Sequence, residues 1–114
     1  MIFVTGPMFS GKEEYVCGLF GWAEEDLEQN AVCRAEELAA KAEDLNLLAE
    51  ELSQKKVVIA SEQGAGVVPV DKEARRAREA AGRLSILLAE RADTVIRVVC
   101  GLPQVLKGSL DTIE

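Results

Sequence analysis

One stretch constrains this chain more than any other: residues 1–13, M-I-F-V-T-G-P-M-F-S-G-K-E. Four apolar or β-branched residues run into a glycine, and G-K follows five places on. The spacing G-x-x-x-x-G-K lets consecutive backbone N–H groups turn inward around phosphate oxygens. The helix that follows adds its partial positive charge, and the lysine reaches the outer phosphates. The pattern predicts a buried strand over residues 2–5 and a helix from about Gly11 to Trp22. Between them lies an anion-binding loop made by Gly6, Pro7, Met8, Phe9, Ser10, Gly11, Lys12 and Glu13. One letter departs from the pattern. Glu13 stands where a Ser or Thr hydroxyl normally meets Mg²⁺. At about 4 Å and an effective dielectric near 20, two like charges repel by roughly 4 kcal/mol. Lys12 offsets part of that, and Mg²⁺ could bind Glu13 directly. A carboxylate is also favourable at a helix N-terminus when no anion is present. The sequence allows both a loop that binds nucleotide weakly and an empty loop stabilised by Glu13, and the charge argument leans toward weakened binding.

The rest of the chain alternates. From about Leu27 to Gln54 the pattern is helical, with Ala31, Ala35, Leu38, Ala42, Leu45, Ala49 and Leu52 in 4-3-4-3-4-3 spacing along one stripe. Such a stripe is either a helix–helix seam between copies or a helix laid on a sheet, widened by Leu47 and Leu48. Residues 57–60 (V-V-I-A) read as a second strand. A glycine-bearing loop follows over residues 61–70, S-E-Q-G-A-G-V-V-P-V. Asp71 reads as an N-cap, with an amphipathic helix from Lys72 to Arg91. A third strand covers residues 94–100, followed by Gly101 and Pro103; the tail from Lys107 carries no strong signal. Alternation of this kind implies an α/β fold with parallel strands, right-handed crossovers and helices on both faces. Ligands then bind at the carboxyl ends of the strands, where the loops after Thr5, Ala60 and Cys100 lie. Glu62 is the strand-end acid available there, and Lys12 and Glu62 are the candidate catalytic residues.

Charge and composition exclude several classes. The formal net charge of -7 argues against nucleic acid as a partner. Residues 24–51 hold ten acidic residues against Arg34 and Lys41, whereas residues 71–91 carry Lys72, Arg75, Arg76, Arg78, Arg83 and Arg91. Cys17, Cys33 and Cys100 are odd in number and form no C-x-x-C pair, so a zinc site or disulfide framework is not expected and a reducing cytoplasm is. Cys17 and Cys100 are expected in apolar surroundings. The N-terminus has no basic n-region and its apolar run is short, so neither a signal peptide nor a membrane span is expected there. The sequence contains no histidine, which removes the commonest general base.

The loop G-P-M-F-S-G-K is similar to that of tetrameric thymidine kinases, whose cysteine-held zinc lasso has no counterpart here. A longer likeness begins at Val57. The runs V-V-I-A-S-E-Q-G-A-G-V-V-P, A-R-R-A-R-E-A-A-G-R-L-S and A-E-R-A-D-T-V-I-R-V-V-C-G-L-P-Q-V-L-K resemble the C-terminal half of the adenosylcobinamide kinase/adenosylcobinamide-phosphate guanylyltransferase family. With the N-terminal loop, the resemblance covers roughly two-thirds of the chain. It implies a small three-layer P-loop NTPase-like α/β fold, one domain over residues 1–114. Its parallel sheet would have about three strands, the first lying centrally between the other two. It also implies ATP or GTP with Mg²⁺ at Gly6–Glu13, and a corrinoid whose aminopropanol hydroxyl is phosphorylated. Glu62, Gly64, Gly66 and Pro69 would form a second active-site loop. The family's further strands, its guanylylated histidine and its magnesium-site acid have no counterpart, and Ser85-Ile86 replaces Asn-Gln. Kinase chemistry alone is therefore the expectation, with a non-catalytic binding or assembly module, its loop closed by Glu13, as the alternative. Missing strands would leave the edge from Val57 to Ala60 bare. The expectation is a homo-oligomer that covers that edge, the Ala31–Leu52 stripe, or both.

Overall fold

The computed structural model describes residues 1–62 and 71–112. The chain runs β1 (Ile2–Gly6), α1 (Lys12–Phe20), α2 (Glu24–Asn30), β2 (Ala31–Val32), α3 (Ala35–Lys41), α4 (Leu45–Leu52), β3 (Val57–Ser61), α5 (Lys72–Arg91), β4 (Thr94–Val99) and β5 (Leu102–Lys107), with a short 3-10 turn at Leu110–Thr112. The strand order is β2-β3-β1-β4-β5. As expected, β1 lies between β3 and β4, parallel to both, with Ile2 opposite Val57 on one side and Thr94 on the other.

Alternation along the strands sorts the core into two clusters. Phe3, Val58, Ala60 and Val95 face α3, α4 and α5, meeting Ala35, Ala39, Ala49, Leu52, Ala81, Leu84 and Leu88. Val4, Val57, Ile59, Ile96 and Val98 face the other way, toward Val16 of α1 and Leu27 of α2. Runs of Val and Ile buried on both faces are what a parallel sheet between two helical layers requires. The helix caps agree with their sequence signals. Asp71 accepts the Glu73 N–H at 3.0 Å, and Gly21 ends α1 in the left-handed region at φ 68°.

Three expectations need correction. Residues 27–54 are not one helix. Ala31–Val32 is extended and pairs with Val57–Val58. Arg34 turns the chain at φ 58°, and Asp44 starts α4 afresh by accepting the N–H groups of Asn46 and Leu47 at 3.0 and 3.2 Å. The alanine stripe is thus two short helices packed on α5, and Leu38 lies 40 % exposed. The sheet has five strands instead of three. The edge expected to be bare is covered by β2 along Val57 and Val58, and β5 closes the other side antiparallel to β4. Finally, Cys100 is exposed, with φ 53°, in the two-residue turn that it forms with Gly101 at φ 74°. Positive φ at both central residues suits the twist of a hairpin.

Candidate functional site

The phosphate-type loop sits where β1 leaves the sheet. Gly6 has φ +150°, and a Cβ there would stand 2.2 Å from the Val98 carbonyl oxygen, so no side chain fits. Gly11 has φ +85° and passes the chain into α1 against Gly101, and Tyr15 N–H donates to Gly11 O at 2.9 Å to open the helix. Neighbouring strand ends pin the loop. Glu62 N–H donates to Gly6 O, and Gly101 N–H donates to Ser10 O, each at 2.8 Å.

The interior of the loop is polar and enclosed. Lys12 is 8 % exposed and Ser10 is 6 % exposed. Lys12 Nζ donates to Pro7 O at 2.8 Å, folding the cation onto its own loop. Ser10 Oγ is buried without a hydrogen-bond partner. Burial lowers the Lys12 pKa, opposed by the nearby carboxylates of Glu36, Glu13, Glu62 and Glu14. At the tip, Met8 and Phe9 are 61 % and 96 % exposed, with Phe9 in the left-handed region at φ 60°.

A cleft of about 490 Å³ opens over the loop, walled by residues 8–14 on one side and by Arg34, Glu36, Glu37, Ile59 and Ser61 on the other. A second cleft of about 800 Å³ adjoins it, sharing Glu13, Glu14 and Arg34 and lined further by Cys17, Trp22, Leu27 and Cys33. Burial, with the Glu13 charge nearby, pushes the Cys33 thiol up to about 11.

The structure thus brings all eight loop candidates, Gly6 to Glu13, to one place. Glu62 lies at the same strand edge but is engaged. Arg97 of β4 grips its carboxylate through Nε to Oε1 and through Nη2 to Oε2, the latter at 3.1 Å, and Glu62 in turn raises the Arg97 pKa. Gly64, Gly66 and Pro69 lie outside the described residues. Sequence reasoning missed Glu36, Cys33, Arg34 and Arg97. Glu36 accepts Ser61 N–H at 3.0 Å, so it ties α3 to the end of β3 and places an acid in the cleft. The signal for this group was the pair Ala31-Val32 directly after Asn30, where a helix interior would not favour β-branching next to a capping-type residue.

A glycine-shaped turn between a central parallel strand and a helix, with a buried lysine and an unpartnered buried hydroxyl in its hollow, defines a phosphate-loop α/β protein. The profile of the cobinamide kinase / cobinamide phosphate guanyltransferase family matches residues 16–106, and the chain belongs to that family. It is also similar to the bifunctional adenosylcobalamin biosynthesis protein CobP of Pseudomonas aeruginosa, with 41 % identity over 58 residues. The match covers 51 % of this chain and 34 % of CobP, so the chain spans about a third of the length of the curated relative it matches. No helix is long and apolar enough to cross a membrane among the described residues.

Proposed function

We propose that the chain binds the polyphosphate of ATP or GTP, with Mg²⁺, in the cleft over β1 and transfers the terminal phosphoryl group to the aminopropanol hydroxyl of a cobinamide-type corrinoid. In that transfer the hydroxyl oxygen bonds to the terminal phosphorus, the bond to the bridging oxygen breaks, the nucleoside diphosphate leaves and the hydroxyl proton passes to solvent. The observation that carries the reading is the buried, partnerless Ser10 Oγ beside the buried Lys12. Phosphate oxygens would satisfy that hydroxyl and compensate the lysine for its lost hydration. Lys12 serves the charge on the transferred group, and Glu62 is held at the end of β3 by Arg97. Histidine-linked guanylyl transfer is not part of the proposal, since the chain contains no histidine.

A second reading, a non-catalytic binding module, is favoured by one observation. Lys12 already has an acceptor in Pro7 O, and four carboxylates face it. A homo-oligomer belongs to either reading. Its most suitable surface is the β5 strand, where Leu102 and Leu106 are 69 % and 56 % exposed.

Titration calorimetry with ATP and GTP, with and without Mg²⁺, followed by mass analysis of cobinamide incubated with either nucleotide, tests the first reading. The expected result is saturable heat, a phosphorylated corrinoid, and a roughly 10- to 100-fold weaker affinity in Lys12→Ala. Binding without corrinoid phosphorylation selects the module. Absence of heat with both nucleotides in both conditions removes the phosphate-loop function.

A further inference from the structure

We propose that Arg97 guards the phosphate loop: by holding the Glu62 carboxylate across the end of β1, it keeps that acid from pairing with Lys12 in the place of phosphate. The inference rests on the phosphate-loop reading above and adds to it a positioning residue that acts through another side chain.

Arg97 of β4 and Ala60 of β3 both stand opposite Thr5, the residue before Gly6. Glu62 lies two places beyond Ala60, just past the end of β3. Because β1 runs between β3 and β4, the ion pair spans the mouth of the central strand where the loop begins. Two guanidinium nitrogens take part, Nε to Oε1 and Nη2 to Oε2, the latter at 3.1 Å. Such a two-pronged bond fixes the direction of the carboxylate as well as its partner. Both side chains are roughly a third exposed, so the pair adds little to stability by itself. Its position matters more than its strength.

Glu62 has Lys12 close at hand. The Glu62 backbone N–H donates to Gly6 O at 2.8 Å, and Lys12 Nζ donates to Pro7 O at 2.8 Å. Those two carbonyls belong to consecutive residues, so the acid and the amine are docked on adjacent peptide units of the loop. As the structure stands, the amine meets a neutral carbonyl, which phosphate oxygens displace readily. A carboxylate on the same amine is a stronger competitor. Lys12 is 8 % exposed, so an opposite charge there would be shielded from water and would stand where the polyphosphate binds. Lys12 is also the one cation among residues 6–13. Of the four carboxylates whose charge acts on it, Glu36 is occupied by Ser61 N–H and Glu62 by Arg97. Arginine suits the task because it stays protonated at every working pH and its fork matches the two carboxylate oxygens.

The test uses the full chain. Titration calorimetry reads the affinity for ATP with Mg²⁺, and an NMR titration of the Lys12 side chain reads its amine. Arg97→Gln is expected to weaken ATP binding about tenfold or more. It should also raise the pH at which Lys12 titrates, since Glu62 then pairs with the amine. Adding Glu62→Gln to that variant should return the affinity to within about threefold of native and bring the Lys12 titration back down. Loss of a merely structural tie between strands would not be repaired in this way. Arg97→Lys keeps the charge without the fork and should lose about threefold, again restored by Glu62→Gln. It carries the test if urea melts show that Arg97→Gln does not fold. Native affinity in Arg97→Gln overturns the proposal. So does a loss that Glu62→Gln fails to restore, which would make Arg97 a strut or a direct ligand of phosphate. If native protein binds no ATP, the phosphate-loop reading falls and the Lys12 titration alone decides the guard: an unchanged titration in Arg97→Gln overturns it.

Discussion

The two faces of the sheet are built to different standards. On one, α5 runs 20 residues and, with α3 and α4, contributes seven fully buried helical side chains, from Ala35 to Leu88. On the other, α1 and α2 have nine and seven residues and bury only Val16 and Leu27 as apolar helix residues. The thick face is held by alanines and leucines in close contact. The thin face keeps two adjoining clefts, a buried lysine and most of the site's carboxylates. Most of the close-packed core lies on one side of β1, whereas the clefts open toward the other, with Arg34, Glu36 and Glu37 at the start of α3 forming the far wall of the first. That division lets charged groups gather without loosening the main core.

Leucine truncations test this division most severely. Leu84→Ala on α5 should lose about 3–4 kcal/mol in urea unfolding, because its 1 % exposed side chain lies amid close-packed neighbours. Leu27→Ala on the short α2 should lose about 2 kcal/mol, since its surroundings are partly open. Equal losses would break the comparison. A smaller effect, of opposite sign, is expected at the loop. The Lys12 pKa in the fold lies below its ordinary 10.5 through burial. Folding therefore carries a cost at neutral pH, fully present below the folded pKa and relieved as pH rises toward 10.5. Lys12→Met should raise the urea midpoint at pH 7 while weakening nucleotide binding as Lys12→Ala does, and its advantage should shrink in alkali. A lower midpoint would mean that the Pro7 contact outweighs the burial. The smallest effect sharpens the picture of the thin face. With Cys33 near 11, only on the order of 0.1 % is thiolate at pH 8, so alkylation should mark exposed Cys100 well before Cys33. Because its folded pKa exceeds the ordinary 9.0, its contribution is intact below pH 9 and lost as pH rises through about 11.

What the sequence disclosed follows the range of the interactions. β1, Gly6, Gly11 and Lys12 are fixed by a local rule, a strand feeding a glycine turn and a helix, and the rule is written in adjacent residues. α5 likewise announces itself through Asp71 and its apolar spacing. The 27–54 stretch hides its break because Ala35 and Ala39, then Ala49 and Leu52, all meet the same partner, α5, so the period survives where the helix does not. β2 is two residues long and exists only because Val57 and Val58 offer it a ladder. Val32 after Asn30 hints at the break in the helix, but only the pairing with Val57 and Val58 carries Cys33 and Glu36 to the clefts. β5 was obscured by Gly101 and Pro103, which read as a stop. In the fold they belong to a tight hairpin, with Cys100 in a position where Asn or Asp is the usual marker. Arg97 looked like any strand residue until the register set it beside Thr5, within reach of Glu62.

The bond from Gly101 N–H to Ser10 O gives the loop a third leg. Gly6 is continuous with β1, Glu62 holds it from β3, and the β4–β5 turn holds Ser10 from the far edge of the sheet. The loop stands as a tripod whose feet are spread across three separate segments of chain. Shortening or re-threading the edge hairpin would therefore unseat the loop without altering a residue in it.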